Sequence, residues 1–132
     1  MNPLLVKSIN EKFSTQFELK TDEFGSYFVF PAKNPDFGDI VIYEERNECP
    51  GRYMVEIGNF THNHYFINDE NSELDELVEF LENLFSDNII LHGSHKGSGG
   101  WELKEDCDED YYADWSDLFV WSGLYKKTKP TT

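Results

Sequence analysis

Apolar side chains stand at positions 74, 77, 78, 81, 84 and 85, the three-and-four spacing of a helix with one buried face. The spacing predicts an amphipathic helix over about 72–86. Ser72 is placed to cap its start, and Asp75 follows three positions on, close to a capping box. Glu73, Asp75, Glu76, Glu79 and Glu82 are left for the outward face. Acids in a first turn suit the helix dipole. Glu79 and Glu82 lie beyond that turn, and no Lys or Arg follows either at i+3 or i+4. The face therefore accepts a small like-charge repulsion, which a helix serving solubility alone relieves by mixing signs.

Elsewhere the period changes. Leu5, Val6, Ile9 and Phe13 form a stripe behind Pro3, so a short helix opens the chain. TQFELKTDEFGSYFVFPA then reads as strand, turn at Asp22–Gly25, and a second strand through Tyr27, Phe28, Val29 and Phe30. Ile40–Tyr43 is a third. Pro50-Gly51 marks a turn. In RYMVEI, Tyr53, Val55 and Ile57 alternate with Arg52, Met54 and Glu56, the pattern of a half-buried strand. Gly58-Asn59 turns the chain into HNHYFI, another strand. After the long helix, NIIL reads as a short buried strand and HGSHKGSGG as a loop. WELK follows as a strand, EDCDEDYYAD as an acidic loop, and WSDLFVWSGLYKK as one last strand before a frayed tail over 126–132. Runs of strands segregated from helices imply an α+β domain. The expectation is a single domain over 1–132: a mainly antiparallel meander sheet, one amphipathic helix packed on a face, and a short N-terminal helix.

Composition supports a folded chain of one domain. Its 132 residues include 11 Phe, 7 Tyr and 3 Trp, enough bulk for a core despite a net charge of −15. The charge is uneven. Residues 1–66 carry 10 acids and 6 bases, whereas residues 67–132 carry 16 acids and 5 bases. An excess of this sign disfavours direct contact with nucleic acid or an anionic membrane surface and favours a basic protein partner. The amino-terminal run MNPLLVK breaks at Lys7 without the apolar core of a signal peptide, and two cysteines, Cys49 and Cys107, make no disulfide framework. A reduced, cytoplasmic protein is the expectation.

Three constellations invite chemistry. His62 and His64, two apart, point to one side of a strand, and His92 and His95 flank the following loop. Four imidazoles would suit a divalent metal, although the spacing fits no zinc signature. Asp106, Asp108, Asp110 and Asp117 fall at positions 1, 3, 5 and 12 of an EF-hand count. The count fails at Tyr111, where the loop needs glycine, and at Asp117, where it needs glutamate. The glycines of GSHKGSGG match neither phosphate-loop nor dinucleotide patterns. No nucleophile motif is present, and no carboxylate pair stands out as acid and base.

The third constellation interleaves Tyr111, Tyr112 and Trp115 with Asp108 and Asp110. Exposed aromatics anchor interfaces, and an acidic rim speeds capture of a basic partner. With Glu76, Glu79 and Glu82 of the helix, these residues form the expected partner-binding set. The chain resembles bacterial immunity proteins, which neutralise cationic toxins, in size and charge alone; no motif carries the likeness. The expected function is thus a non-enzymatic acidic binding protein, in one form an immunity-type inhibitor. The alternatives are a metal-binding protein or metal-dependent enzyme using the four histidines, and a subunit of an oligomeric assembly.

Overall fold

The computed structural model describes residues 1–14, 16–45, 49–68, 72–93 and 99–128. Helix α1 (Pro3–Lys12) begins where Asn2 Oδ1 accepts from the amides of Leu4 and Leu5, at 2.9 and 3.2 Å. Its stripe buries Leu5, Ile9 and the following Phe13. Five strands then run as an antiparallel meander: β1 (Glu18–Asp22), β2 (Gly25–Phe30), β3 (Ile40–Glu44), β4 (Arg52–Ile57) and β5 (Thr61–Phe66). Alternation settles the register: Ile42 pairs with Val55 and Tyr53 with Tyr65, so each pair shares the buried face. Helix α2 (Leu74–Phe85) lays Leu77, Leu81 and Leu84 into the same core.

The remaining strands make a second antiparallel sheet in the order β7-β6-β8-β9. These are β6 (Ile89–His92), β7 (Gly100–Leu103), β8 (Leu118–Val120) and β9 (Gly123–Lys126). This sheet has two covered faces. Ile89, Leu91 and Trp101 face the main core, while Ile90, Leu118 and Val120 form a smaller cluster with Cys107, Tyr112 and Tyr125. Trp101 Nε1 donates to Asn63 Oδ1 at 3.0 Å and so ties β7 to β5. The α+β class, the meander, the packed helix and the short N-terminal helix are all present; the division of strands between two sheets is a feature the pattern did not specify.

Local differences have identifiable causes. Ser72 does not cap α2. It bridges to Ile67, and Glu73 stands at the cap without a side-chain cap bond. The Glu73 carboxylate instead accepts the amide of Phe66 at 2.8 Å, closing the end of β5. Phe80 is buried as well as the expected stripe, because Trp101 of the second sheet meets it at 4.9 Å. The acidic loop contains a helix, α3 (Glu109–Ala113): Asp108 accepts from the Tyr111 amide at 3.1 Å, and Ala113 is fully buried. The single last strand is a hairpin, β8 turning into β9 at Trp121–Ser122, where Asp87 accepts from the Ser122 amide. Lys126 belongs to β9, and Thr128 is bonded to Asp117; residues 129–132 of the expected tail lie outside the described residues.

The turn between β4 and β5 leaves no room for a side chain. Gly58 has φ of +54°, and a Cβ there would sit 2.1 Å from the Phe37 carbonyl oxygen. That carbonyl already accepts from Asn59, and Phe37 is fully buried, so it cannot retreat freely. Gly58→Ala is expected to cost about 1–3 kcal/mol, the range for overpacking. Urea unfolding measures it; an unchanged midpoint would show that the turn yields without strain.

Candidate functional site

Helix α3 places its aromatics by its own turn. Ala113 points inward, Tyr111 stands 60% exposed, and Trp115, just past the helix, is 51% exposed. Tyr112 lies between them, half-buried, with ring centroids 5.1 Å from Tyr111 and 5.8 Å from Trp115, both edge-on. The three rings thus form a continuous aromatic ridge. Acids surround it. Asp106, Asp108, Asp110 and Asp114 are all exposed. Asp108 is occupied in capping α3, and Asp110 Oδ1 accepts from Lys126 Nζ at 3.2 Å. The Lys126 pair is largely exposed and adds little stability.

Beneath the ridge lies His92. Its ring stacks on Tyr112 at 3.8 Å, nearly parallel, and meets Trp115 edge-on at 6.1 Å. His92 is 9% exposed, and neither ring nitrogen has a hydrogen-bond partner among the described residues. The nearest acid is Glu102, whose Oε1 is 3.7 Å from His92 Nε2, too long for a hydrogen bond. That same oxygen accepts from the Tyr112 hydroxyl at 3.2 Å. Burial pushes the imidazole below its ordinary value against the opposing pull of Glu102, so the ring is neutral at pH 7. Gly100 permits this stack, because a Cβ there would fall 2.8 Å from His92 Cε1. Nucleophilic chemistry has little support here. Burial, then Glu109, Glu102 and Asp108, push the Cys107 thiol up, and burial with Glu102 does the same to Tyr112.

The other expected residues fall elsewhere. Glu76, Glu79 and Glu82 are exposed on α2, whose buried face belongs to the main core, whereas α3 covers the opposite face of the second sheet. Helices α2 and α3 thus bury their inner sides against opposite faces of the second sheet. Glu82 also receives a counter-charge that its own helix lacks: Lys12 of α1 stands 3.7 Å away.

His62 and His64 do share the outward face of β5, opposite Tyr65, with ring centroids 4.9 Å apart. His64 Nδ1 is 3.0 Å from Glu45 Oε2, a carboxylate also gripped by Arg52. His92 faces away from the core on β6, against α3, and His95 lies outside the described residues. Among the described residues, no three His, Cys, Asp or Glu side chains are grouped to hold a metal ion. Likewise none of the described helices is long and apolar enough to cross a membrane.

Two of the surface concavities are lined by described residues. One, of about 770 Å³, lies over the outward face of the meander between Phe24, Tyr27, Tyr43 and Met54. Two of its acids are committed internally: Glu44 accepts from the Gly51 amide, and Glu45 from Arg52. The other, of about 560 Å³, adjoins the aromatic ridge. Trp115, Phe60 and Phe119 line it together with Asp36 and Asp117, which come from distant parts of the chain. No sequence signal joins residues 36, 60, 115 and 119; only the fold does. Comparison of the chain with family models, with curated proteins and with solved structures finds no match.

Proposed function

We propose that this chain is a non-catalytic binding protein that takes a basic protein partner on the α3 surface. The observation that carries the reading is the exposure of Tyr111 and Trp115 on an acid-rich segment, with Tyr112 and His92 stacked behind them. Large exposed aromatics cost hydration unless something covers them, and they are the residues that most often anchor an interface. The surrounding carboxylates would steer a cationic partner and repel an anionic one. An immunity-type inhibitor of a cationic toxin is the form that size and charge favour.

The test is capture at two salt concentrations, followed by titration of the purified partner. A basic protein should be retained at about 0.05 M salt and released near 0.5 M, where screening is strong. Tyr111→Ala with Trp115→Ala should weaken binding tenfold or more, equivalent to about 1.4 kcal/mol. Charge reversal at Asp106 and Asp110 should slow association, while reversal at Glu79 on α2 should leave affinity within about twofold. Asp108 is spared because it caps α3. If the Glu79 variant loses the partner and the α3 variants keep it, the α3 surface is the wrong one.

A further inference from the structure

We infer that the 560 Å³ concavity beside the ridge is a receptor for a guanidinium group, filled by an arginine side chain of the basic partner. The inference rests on the proposed protein-binding role and adds the chemistry that anchors it. The volume lies within the range of pockets that take discrete ligands. Three aromatics line it: Trp115 is half-exposed, and Phe60 and Phe119 pack against each other at 5.4 Å. An aromatic wall beside carboxylates is an environment for a planar cation, which stacks on the ring and donates to the acids.

The polar groups of the site sort the ligand further. Ser116 accepts from the Gly93 amide at 2.9 Å and bonds the Asp117 carbonyl at 2.7 Å, so its hydroxyl is already satisfied. The charge is left to Asp36 and Asp117. Both carboxylates are exposed. The two bonds from Thr128 to Asp117, from its amide and its hydroxyl, both fall on Oδ1 and leave Oδ2 outside them. They also hold the Asp117 carboxyl below its ordinary value, which keeps it ionised at neutral pH. Among the described residues, the charged side chains that line the concavity are Asp36 and Asp117, a lining that favours a cation. Lys127 acts on Asp117 from the adjoining tail and is the competitor a ligand cation must displace or tolerate. Arginine fits better than lysine because its flat fork stacks on Trp115 while donating in its own plane.

The full chain should be titrated with N-acetyl-arginine amide and followed by the indole N–H resonance of Trp115, assigned by its absence in Trp115→Phe. Binding in the low millimolar range, about 4 kcal/mol, is expected for one side chain. N-acetyl-citrulline amide, a neutral isostere, should bind at least tenfold more weakly. Asp36→Asn and Asp117→Asn together should weaken arginine tenfold or more, and Asp36→Asn alone guards against a folding effect at the Thr128 contact. Lys127→Gln should tighten it. Equal shifts with citrulline, or undiminished arginine binding in the Asp36→Asn variant and the double variant, would overturn the guanidinium site. If those carboxamide variants still bind the captured partner with unchanged affinity, the arginine anchor fails while the α3 surface stands. Arginine binding at Trp115 with no basic protein ever captured would sink the protein-partner reading and leave the guanidinium site in place.

Discussion

Arg52→Met is expected to lower the unfolding free energy at pH 7 by about 1.5–3 kcal/mol, because the Glu45 carboxylate loses its two-bond guanidinium and keeps the His64 contact. Glu45 follows β3 with its side chain only 6% exposed. Arg52, at the start of β4, grips it through two bonds, Nε to Oε2 at 2.5 Å and Nη2 to Oε1 at 3.0 Å. The backbones hold the pair in place, since the Glu45 amide donates to the Arg52 carbonyl at 2.8 Å. His64 supplies the only other side-chain contact described at this carboxylate. Methionine keeps the apolar stem of arginine and removes the fork, so lost packing contributes little.

The pH dependence separates charge from packing. Burial pushes the Glu45 carboxyl up, but Arg52 and His64 outweigh it and hold the group below its ordinary 4.5. A lowered folded value means the stabilisation is fully present above pH 4.5 and is lost as pH falls through that lower value. The wild-type protein should therefore lose stability on acidification below pH 4.5, and the gap to Arg52→Met should narrow there. Urea unfolding at pH 7 and near pH 3 measures both. A gap of the same size at the two pH values would mean that the guanidinium acts through packing.

The second large effect lies at the aromatic junction of the helices and the meander. Phe30 is fully buried at the end of β2. It meets Phe13 after α1 at 5.9 Å, Phe17 before β1 at 5.9 Å, and Phe85 at the end of α2 at 5.0 Å. Phe30→Ala is expected to cost about 3–5 kcal/mol, the transfer of the ring plus the cavity it leaves. Phe30→Leu should cost less than about 1.5 kcal/mol, because much of the volume is kept. That is a large share of the ~5–15 kcal/mol available to a small domain. Thermal unfolding of the pair is the check; similar losses for Ala and Leu would show that ring contacts, not cavity volume, dominate.

Long periodic elements were legible from the chain. Leu77, Leu81 and Leu84 announce α2, and the alternation in RYMVEI announces β4, because each period projects a buried face directly onto the sequence. Short elements were not. Helix α3 has five residues, too few to show a period among acids that favour caps and turns. The turn at Trp121–Ser122 is marked in the sequence by the Ser122-Gly123 dipeptide alone; it is fastened by Asp87, 35 residues away. The exposed side chains of Tyr111 and Trp115 were readable as aromatics among acids. Tyr112 was not separable from them, since its stack on His92 is a contact across the second sheet.

By itself the sequence determined the meander, the two longer helices, the outward direction of His62 and His64, and an acidity concentrated in the second half. These follow from local periods and from charge, which need no knowledge of what lies across the core. The tertiary structure alone decided that α2 and α3 pack against opposite faces of the second sheet. It alone gave Glu82 a partner in Lys12, and it alone brought Asp36 and Phe60 to Trp115. Such pairings depend on how two sheets pack, and packing is set by side chains distant in the chain that no local pattern connects.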